Sequence, residues 1–279
     1  MTSIVTSSEI PQSPHAKSRP ITLGSAQLGS GEFCVIAGPC SVDTEDHYVF
    51  AARELRRLGA AAVRGGIFKI RTRPEAFQGL GLEGLSILKR GRDRSVLPVV
   101  TEVVDPRHLE AIYETVDVFQ VGARNMYNYE LLKELGKLKK PVLLKRAFSA
   151  YLDEWLSAAD YICGQGNDQV ILCERGVRSF DTYTRNQLDL AAIPYLKART
   201  QFPILVDPSH GTGRRELVIP MSLAAAAAGA DGLIVEVHPD PSAALSDAQQ
   251  ALTFDDFAEL MNRLRVWMPA LGRTLFESP

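Results

Sequence analysis

The sequence predicts an α/β protein of one domain, a (β/α)8 TIM barrel preceded by a short N-terminal extension. Short apolar runs alternate with longer helical patterns along the chain, and that alternation with brief connections selects a parallel sheet. The runs are continuous stretches of Val, Ile and Leu, as strands covered on both faces require. Each run also ends in a side chain able to bind a metal or an anion. A parallel barrel gathers the carboxyl ends of all its strands at one opening, whereas an open doubly wound sheet would concentrate such residues at a single switch point.

Residues 1–20, rich in Ser, Thr and Pro and without periodicity, read as a polar flexible tail, and residues 21–279 as the barrel domain. A hairpin is expected around residues 21–32. The first barrel strand, 33–37, leads to Cys40 and a helix over 46–58; the second, 61–63, leads to Arg64 and Lys69 and a helix over 84–94. Strand 97–101 ends at Glu102 before a helix over 106–115, and strand 117–121 delivers Arg124 before a helix over 128–138. Strand 141–144 meets Lys145 ahead of helix 149–164, and strand 170–173 meets Glu174 and Arg175 ahead of helix 189–200. Strand 204–206 precedes Asp207, His210 and helix 215–228; strand 233–235 precedes Glu236, His238 and a last helix over 254–267. Gly59, Gly136 and Gly229 are expected to close their helices in the left-handed conformation.

The chain has 279 residues, of which 46% are hydrophobic and 23% charged, with a formal net charge of −2, which suits one enzyme-sized barrel. Near neutrality without a long basic run argues against nucleic acid or a membrane surface as partner, because both need concentrated positive charge. No apolar stretch approaches the roughly 18 residues of a membrane span, and the opening segment lacks a signal-like apolar core, so a cytoplasmic location is expected. Four cysteines, Cys34, Cys40, Cys163 and Cys173, show no C-x-x-C pairing. Cys40 follows Gly38-Pro39 in a turn, where a thiol faces a cavity and not a packed interior.

Arg64, Lys69, Arg71, Arg124, Lys145 and Arg175 all stand at or just beyond strand ends. In a closed barrel they crowd one mouth, and such a cluster is tolerable when an anion neutralises it; the planar Arg fork suits phosphate and carboxylate oxygens. A second constellation, Cys40, His210, Glu236 and Asp247, offers thiolate, imidazole and carboxylate ligands suited to manganese, iron, cobalt or zinc. Each of these residue types also has a plainer use, Cys40 as a small buried hydrophobe, His210 as a turn residue and Asp247 as a helix cap.

Gly38-Pro39-Cys40-Ser41, Arg64-Gly65-Gly66, Lys69-Ile70-Arg71-Thr72, Phe77-Gln78-Gly79-Leu80-Gly81, Gly122-Ala123-Arg124-Asn125, Leu143-Leu144-Lys145-Arg146, Cys173-Glu174-Arg175-Gly176, Asp207-Pro208-Ser209-His210 and Glu236-Val237-His238-Pro239-Asp240-Pro241 stand in this order. Together they resemble type I beta 3-deoxy-D-arabino-heptulosonate 7-phosphate (DAHP) synthase, within the wider DAHP and 3-deoxy-D-manno-octulosonate 8-phosphate (KDO8P) synthase family, over residues 33–250. The resemblance implies condensation of phosphoenolpyruvate with erythrose 4-phosphate, the first step of the shikimate pathway to aromatic amino acids. It implies a divalent metal held by Cys40, His210, Glu236 and Asp247. It implies Arg64, Lys69, Arg124, Lys145 and Arg175 on phosphoenolpyruvate, and Arg71, Thr72 and Asp207 toward the aldose phosphate. Lys69 is expected as proton donor and Glu102 as a partner for water or a neighbouring cation. A homo-oligomer, dimer or tetramer, is also implied.

The family usually carries Pro where this chain has Ile70, an exchange that frees φ and adds an N–H donor. The alternative it raises is an altered acceptor, another aldose phosphate or aldehyde, in a paralogue recruited to specialised metabolism; because Arg71 and Thr72 remain, erythrose 4-phosphate is the expected acceptor. The same two residues, with the segment at 77–81, speak against arabinose 5-phosphate, and the intact metal-ligand set speaks against a non-catalytic phosphate-ester sensor. With only the tail and hairpin before the first strand, little feedback inhibition by phenylalanine or tyrosine is expected unless a partner protein supplies the site.

Overall fold

Eight parallel strands form a closed ring in the computed structural model, which describes residues 18–278. A hairpin of β1 (Ile21–Leu23) and β2 (Ala26–Leu28) leads into β3 (Glu32–Gly38). The ring continues through β4 (Ala62–Arg64), β5 (Val99–Glu102), β6 (Val118–Val121), β7 (Val142–Lys145), β8 (Val170–Glu174), β9 (Ile204–Val206) and β10 (Gly232–Glu236). It closes because β3 pairs in parallel with both β4 and β10. The tail expected at the N-terminus lies, up to residue 17, outside the described residues.

The intervening helices are α1 (Glu45–Arg57), α2 (Leu85–Ser95), α3 (Leu109–Ile112), α4 (Tyr129–Gly136), α5 (Leu152–Cys163), α6 (Ala192–Lys197), α7 (Pro208–Thr212), α8 (Arg215–Ala227) and α9 (Phe254–Ala270). Where the ends carry side-chain caps, the residues are suited to it: Thr44, Asn128 and Thr253 each accept a main-chain N–H of the first turn. Among the described residues no helix is long and apolar enough to cross a membrane.

Strand side chains alternate between two faces, and here the two faces make two separate cores. Cys34, Ile36, Ala62, Val100, Val118, Leu143, Ile171, Cys173, Leu205 and Ile234 pack inside the ring, joined by Ile21, Leu23, Ala26 and Leu28 of the hairpin. The hairpin therefore plugs the amino-terminal end of the barrel. Neighbouring residues such as Val35, Val63, Phe119, Leu144, Leu172 and Val235 face outward to the helices. One step of the same period further along the inner rows the residues turn polar, giving Arg64, Glu102, Gln120, Lys145, Arg175, Asp207 and Glu236. Gly38 holds the corresponding place on β3, with φ +148° and its missing Cβ 2.2 Å from the Arg64 carbonyl oxygen, a position open to no other residue.

Several expectations needed revision. The helix expected over 106–115 is a 3-10 turn (Pro106–His108) followed by one turn of α3, and α6 is shorter than its pattern. Gly59 and Gly229 do take left-handed φ, each +96°. Gly136 does not; it is the last residue of α4, and a Cβ there would lie 2.4 Å from the Ile162 carbonyl oxygen, so its bareness serves the approach of α4 to α5. A left-handed end falls instead to Val96 after α2, at φ +59° and 71% exposed. A β-branched side chain is strained there. Val96→Gly is expected to stabilise the protein by about 1 kcal/mol, read as a rise of roughly 2–4 °C in melting temperature; an unchanged or lower value would contradict the strain.

Candidate active site at the carboxyl ends of the strands

The polar ends of the inner rows open into a cavity of about 450 Å³ at the carboxyl end of the barrel. Cys40, Arg64, Lys69, Arg71, Thr72, Glu102, Arg124, Lys145, Arg175, His210 and Asp247 all line it. Asp207 and Glu236 lie behind this wall, essentially inaccessible. Asp207 is thus a correction: it was expected to face an aldose phosphate, but its carboxylate is consumed by protein groups. Its Oδ2 accepts from Lys145 Nζ at 2.5 Å and bonds His210 Nδ1 at 2.9 Å, and its Oδ1 caps α7 by accepting the His210 main-chain N–H. Burial alone would raise this carboxyl, but His210 and Lys145 override it and hold it well below the usual range.

The cations divide into two groups. Lys145 pairs with Asp207, and Lys69 contacts Asp247 Oδ2 at 2.6 Å as well as Cys40 Sγ. Among the described residues, Arg64, Arg71, Arg124, Arg175 and Arg178 form no ion pair with a carboxylate. Arg64 donates to the Cys40 carbonyl and Arg124 to Thr72 Oγ1, while Nη1 of both Arg64 and Arg71 is buried without a hydrogen-bond partner. Three of the guanidiniums gather around one ring: Arg175, Arg124 and Arg178 lie 4.6, 5.1 and 5.2 Å from the centre of Phe148. The aromatic face offsets part of their mutual repulsion. Burial lowers Arg175 to about 10, and burial and then Arg185 lower Arg124, yet both stay charged near neutrality.

Beside the cations, one ligand atom each from Cys40, His210, Glu236 and Asp247 lies within 4.8 Å of the others. Cys40 Sγ is 3.3 Å and a Glu236 carboxylate oxygen 3.6 Å from His210 Nε2. Asp207, as an ionised acceptor, draws the imidazole proton to Nδ1 and leaves the Nε2 lone pair facing the cluster, the arrangement of a metal-binding histidine. Burial keeps His210 neutral, its pKa lowered to about 3. Burial and then Asp247 push Glu236 up to about 7, and burial and then Glu236 push the Cys40 thiol up to about 11. Two carboxylates, a thiol and an imidazole this close fit a divalent cation by donor type.

A second group, Asp43, His47 and His238, also clusters. His238 Nδ1 accepts the Asp240 main-chain N–H at 3.1 Å, so its Nε2 carries the proton that it donates to Asp43 at 3.0 Å. That tautomer has no lone pair for a metal; the group is a clamp between the segments after β3 and β10.

Gln120, Phe148, Arg178, Arg185 and Asn186 also line the cavity and were not anticipated. Gln120 had a signal, since it stands two residues beyond inward-facing Val118. Arg178 and Arg185 lie on the long segment after β8, where no strand period fixes direction.

A barrel with buried guanidiniums and a cation-ligand cluster at one mouth defines the class, an enzyme for small anionic substrates. The chain belongs to the DAHP synthetase I family, whose model matches residues 12–268. It is 47% identical to phospho-2-dehydro-3-deoxyheptonate aldolase of Thermotoga maritima, over 92% of this chain and 76% of that protein. A 2-dehydro-3-deoxyphosphooctonate aldolase of Geobacter sulfurreducens is 30% identical over 88% of this chain and 97% of its own length. A truncated form of 3-deoxy-D-arabino-heptulosonate 7-phosphate synthase from Thermotoga maritima superposes with a TM-score of 0.87 at 44% identity, covering 94% of this chain and 96% of that one.

Proposed function

We propose that the protein condenses phosphoenolpyruvate with erythrose 4-phosphate to give DAHP and phosphate, opening the shikimate pathway. The observation that carries this reading is the set of guanidiniums without carboxylate partners beside a four-ligand cluster. Two polyanionic substrates would supply the missing charge. Arg64, Arg124, Lys145 and Arg175, with Lys69, hold the phosphate and carboxylate of phosphoenolpyruvate. Arg71 and Thr72 take the phosphate of the aldose. Asp207 orients Lys145 and His210 without touching substrate.

Cys40, His210, Glu236 and Asp247 would hold a divalent ion, one of manganese, iron, cobalt or zinc, and when bound it supplies Lewis acidity toward an aldehyde oxygen. Burial works against the Lys69 ammonium, but Cys40 and Asp247 override it and hold its pKa above the usual lysine range. Lys69 lines the cavity beside the cluster and is the group placed to protonate oxygen as the carbon–carbon bond forms. Glu102 lies in the cavity with Oε2 held by the Gln120 amide at 3.2 Å, oriented to receive a proton from attacking water. The near-neutral charge fits a cytoplasmic enzyme, and family membership favours a dimer or tetramer.

The test is phosphate release from phosphoenolpyruvate with erythrose 4-phosphate and, separately, arabinose 5-phosphate, with and without chelator. The expected result is a kcat/KM at least about 100-fold higher for erythrose 4-phosphate, lost on chelation and restored by a divalent ion. Preference for arabinose 5-phosphate, or indifference to chelator, would overturn the reading.

The ring beneath the guanidiniums has its own test. Phe148→Leu removes the aromatic face at about 0.5–1 kcal/mol per cation. It is expected to raise KM for phosphoenolpyruvate roughly tenfold with a smaller change in kcat, measured by steady-state kinetics. An unaltered KM would show that the ring does not organise the anion site.

A further inference from the structure

Gln250, on the segment between β10 and α9, lies 2% exposed behind the four-ligand cluster. Its side-chain amide is engaged at both ends. Nε2 donates to Glu236 Oε2 at 2.7 Å, and Oε1 accepts from Arg185 Nη1 at 2.9 Å. The direction of the amide is imposed, because a guanidinium offers donors only: the carbonyl must face Arg185 and the NH2 must face Glu236. The same Arg185 nitrogen donates to Asp247 Oδ1 at 3.0 Å. One guanidinium therefore reaches both carboxylates of the cluster, Asp247 directly and Glu236 through the amide.

Glu236 needs such a partner. It ends an inner row with a 1% exposed side chain, beside a second carboxylate that repels it. Among the described residues Gln250 is the one hydrogen-bond donor to its carboxylate from outside the cluster. We propose that Gln250 is a positioning residue for the cation site. It aims Glu236 at the shared ion and presents it as an acceptor, with the sense of the amide set by Arg185. The inference rests on the reading of Cys40, His210, Glu236 and Asp247 as that site.

The experiment is a Co²⁺ titration of metal-stripped protein, followed by thiolate-to-cobalt absorption, for the parent, Gln250→Met and Gln250→Asn. Melting temperatures of the stripped proteins are read in parallel. The Met variant keeps the length and loses both hydrogen bonds. The Asn variant keeps a neutral amide but is one methylene shorter, which withdraws the donor from Glu236 without adding charge, so it carries the test if the Met variant does not fold. Both are expected to raise the Co²⁺ dissociation constant about 10- to 100-fold, with stripped proteins melting close to the parent. A purely structural role would lower the melting temperature and leave the affinity alone. A folded variant binding Co²⁺ within about twofold of the parent, well short of that range, overturns the role of Gln250 alone. A parent that takes up no Co²⁺ removes the cation site, and this inference with it.

Discussion

Asp207→Asn is expected to lower stability by about 3–5 kcal/mol, because it breaks a buried ion pair and strands the Lys145 ammonium in the wall of the cavity. For a chain of this size that corresponds to a fall on the order of 10 °C in melting temperature. Asn preserves the cap on α7, since its carbonyl oxygen can still accept the His210 main-chain N–H. What it loses is the charge opposite Lys145 and the acceptor that fixes the His210 tautomer. Both effects act on residues that face the cavity, so turnover is expected to fall by about 10- to 100-fold even where the protein is fully folded. Differential scanning fluorimetry and steady-state kinetics on the same preparation check the two parts. Melting within a degree or two of the parent and turnover within a few-fold would refute the buried-relay role of Asp207.

Lys69→Met is expected to reduce kcat by about 10²- to 10⁴-fold, the usual contribution of a positioned general acid. Met has nearly the same length and removes only the ammonium that joins Cys40 and Asp247. Taking a positive charge away from two carboxylates and a thiol favours a cation among them, so the variant is expected to bind Co²⁺ at least as tightly as the parent. That separates loss of the acid from loss of the ion. Turnover within a few-fold of the parent excludes an essential proton-donor role for Lys69.

Much of the fold was legible because a barrel strand buried on both faces leaves a continuous apolar run, and all eight such runs became ring strands. Helix ends were less so. Gly136 looked like a terminator, yet its place is set by the Ile162 carbonyl of another helix, a contact with no local trace. Residues expected at the mouth do line one cavity, but the role of Asp207 was misread because Lys145, with which it pairs, is 62 positions away. Phe148 is similar: nothing adjacent in the chain announces that Arg124 will share its ring.

By itself the sequence determined the alternation of strands and helices, the polar residue that ends each strand, and the motifs that carry the family. Those are local properties, written in composition and period. Only the tertiary structure decided which polar ends face the cavity and which stand behind it, and that Arg185 and Gln250 reach the carboxylates of the cluster. Closing the ring brings together side chains from strands far apart in the chain, and the partner that satisfies each buried charge is then fixed by distance in space.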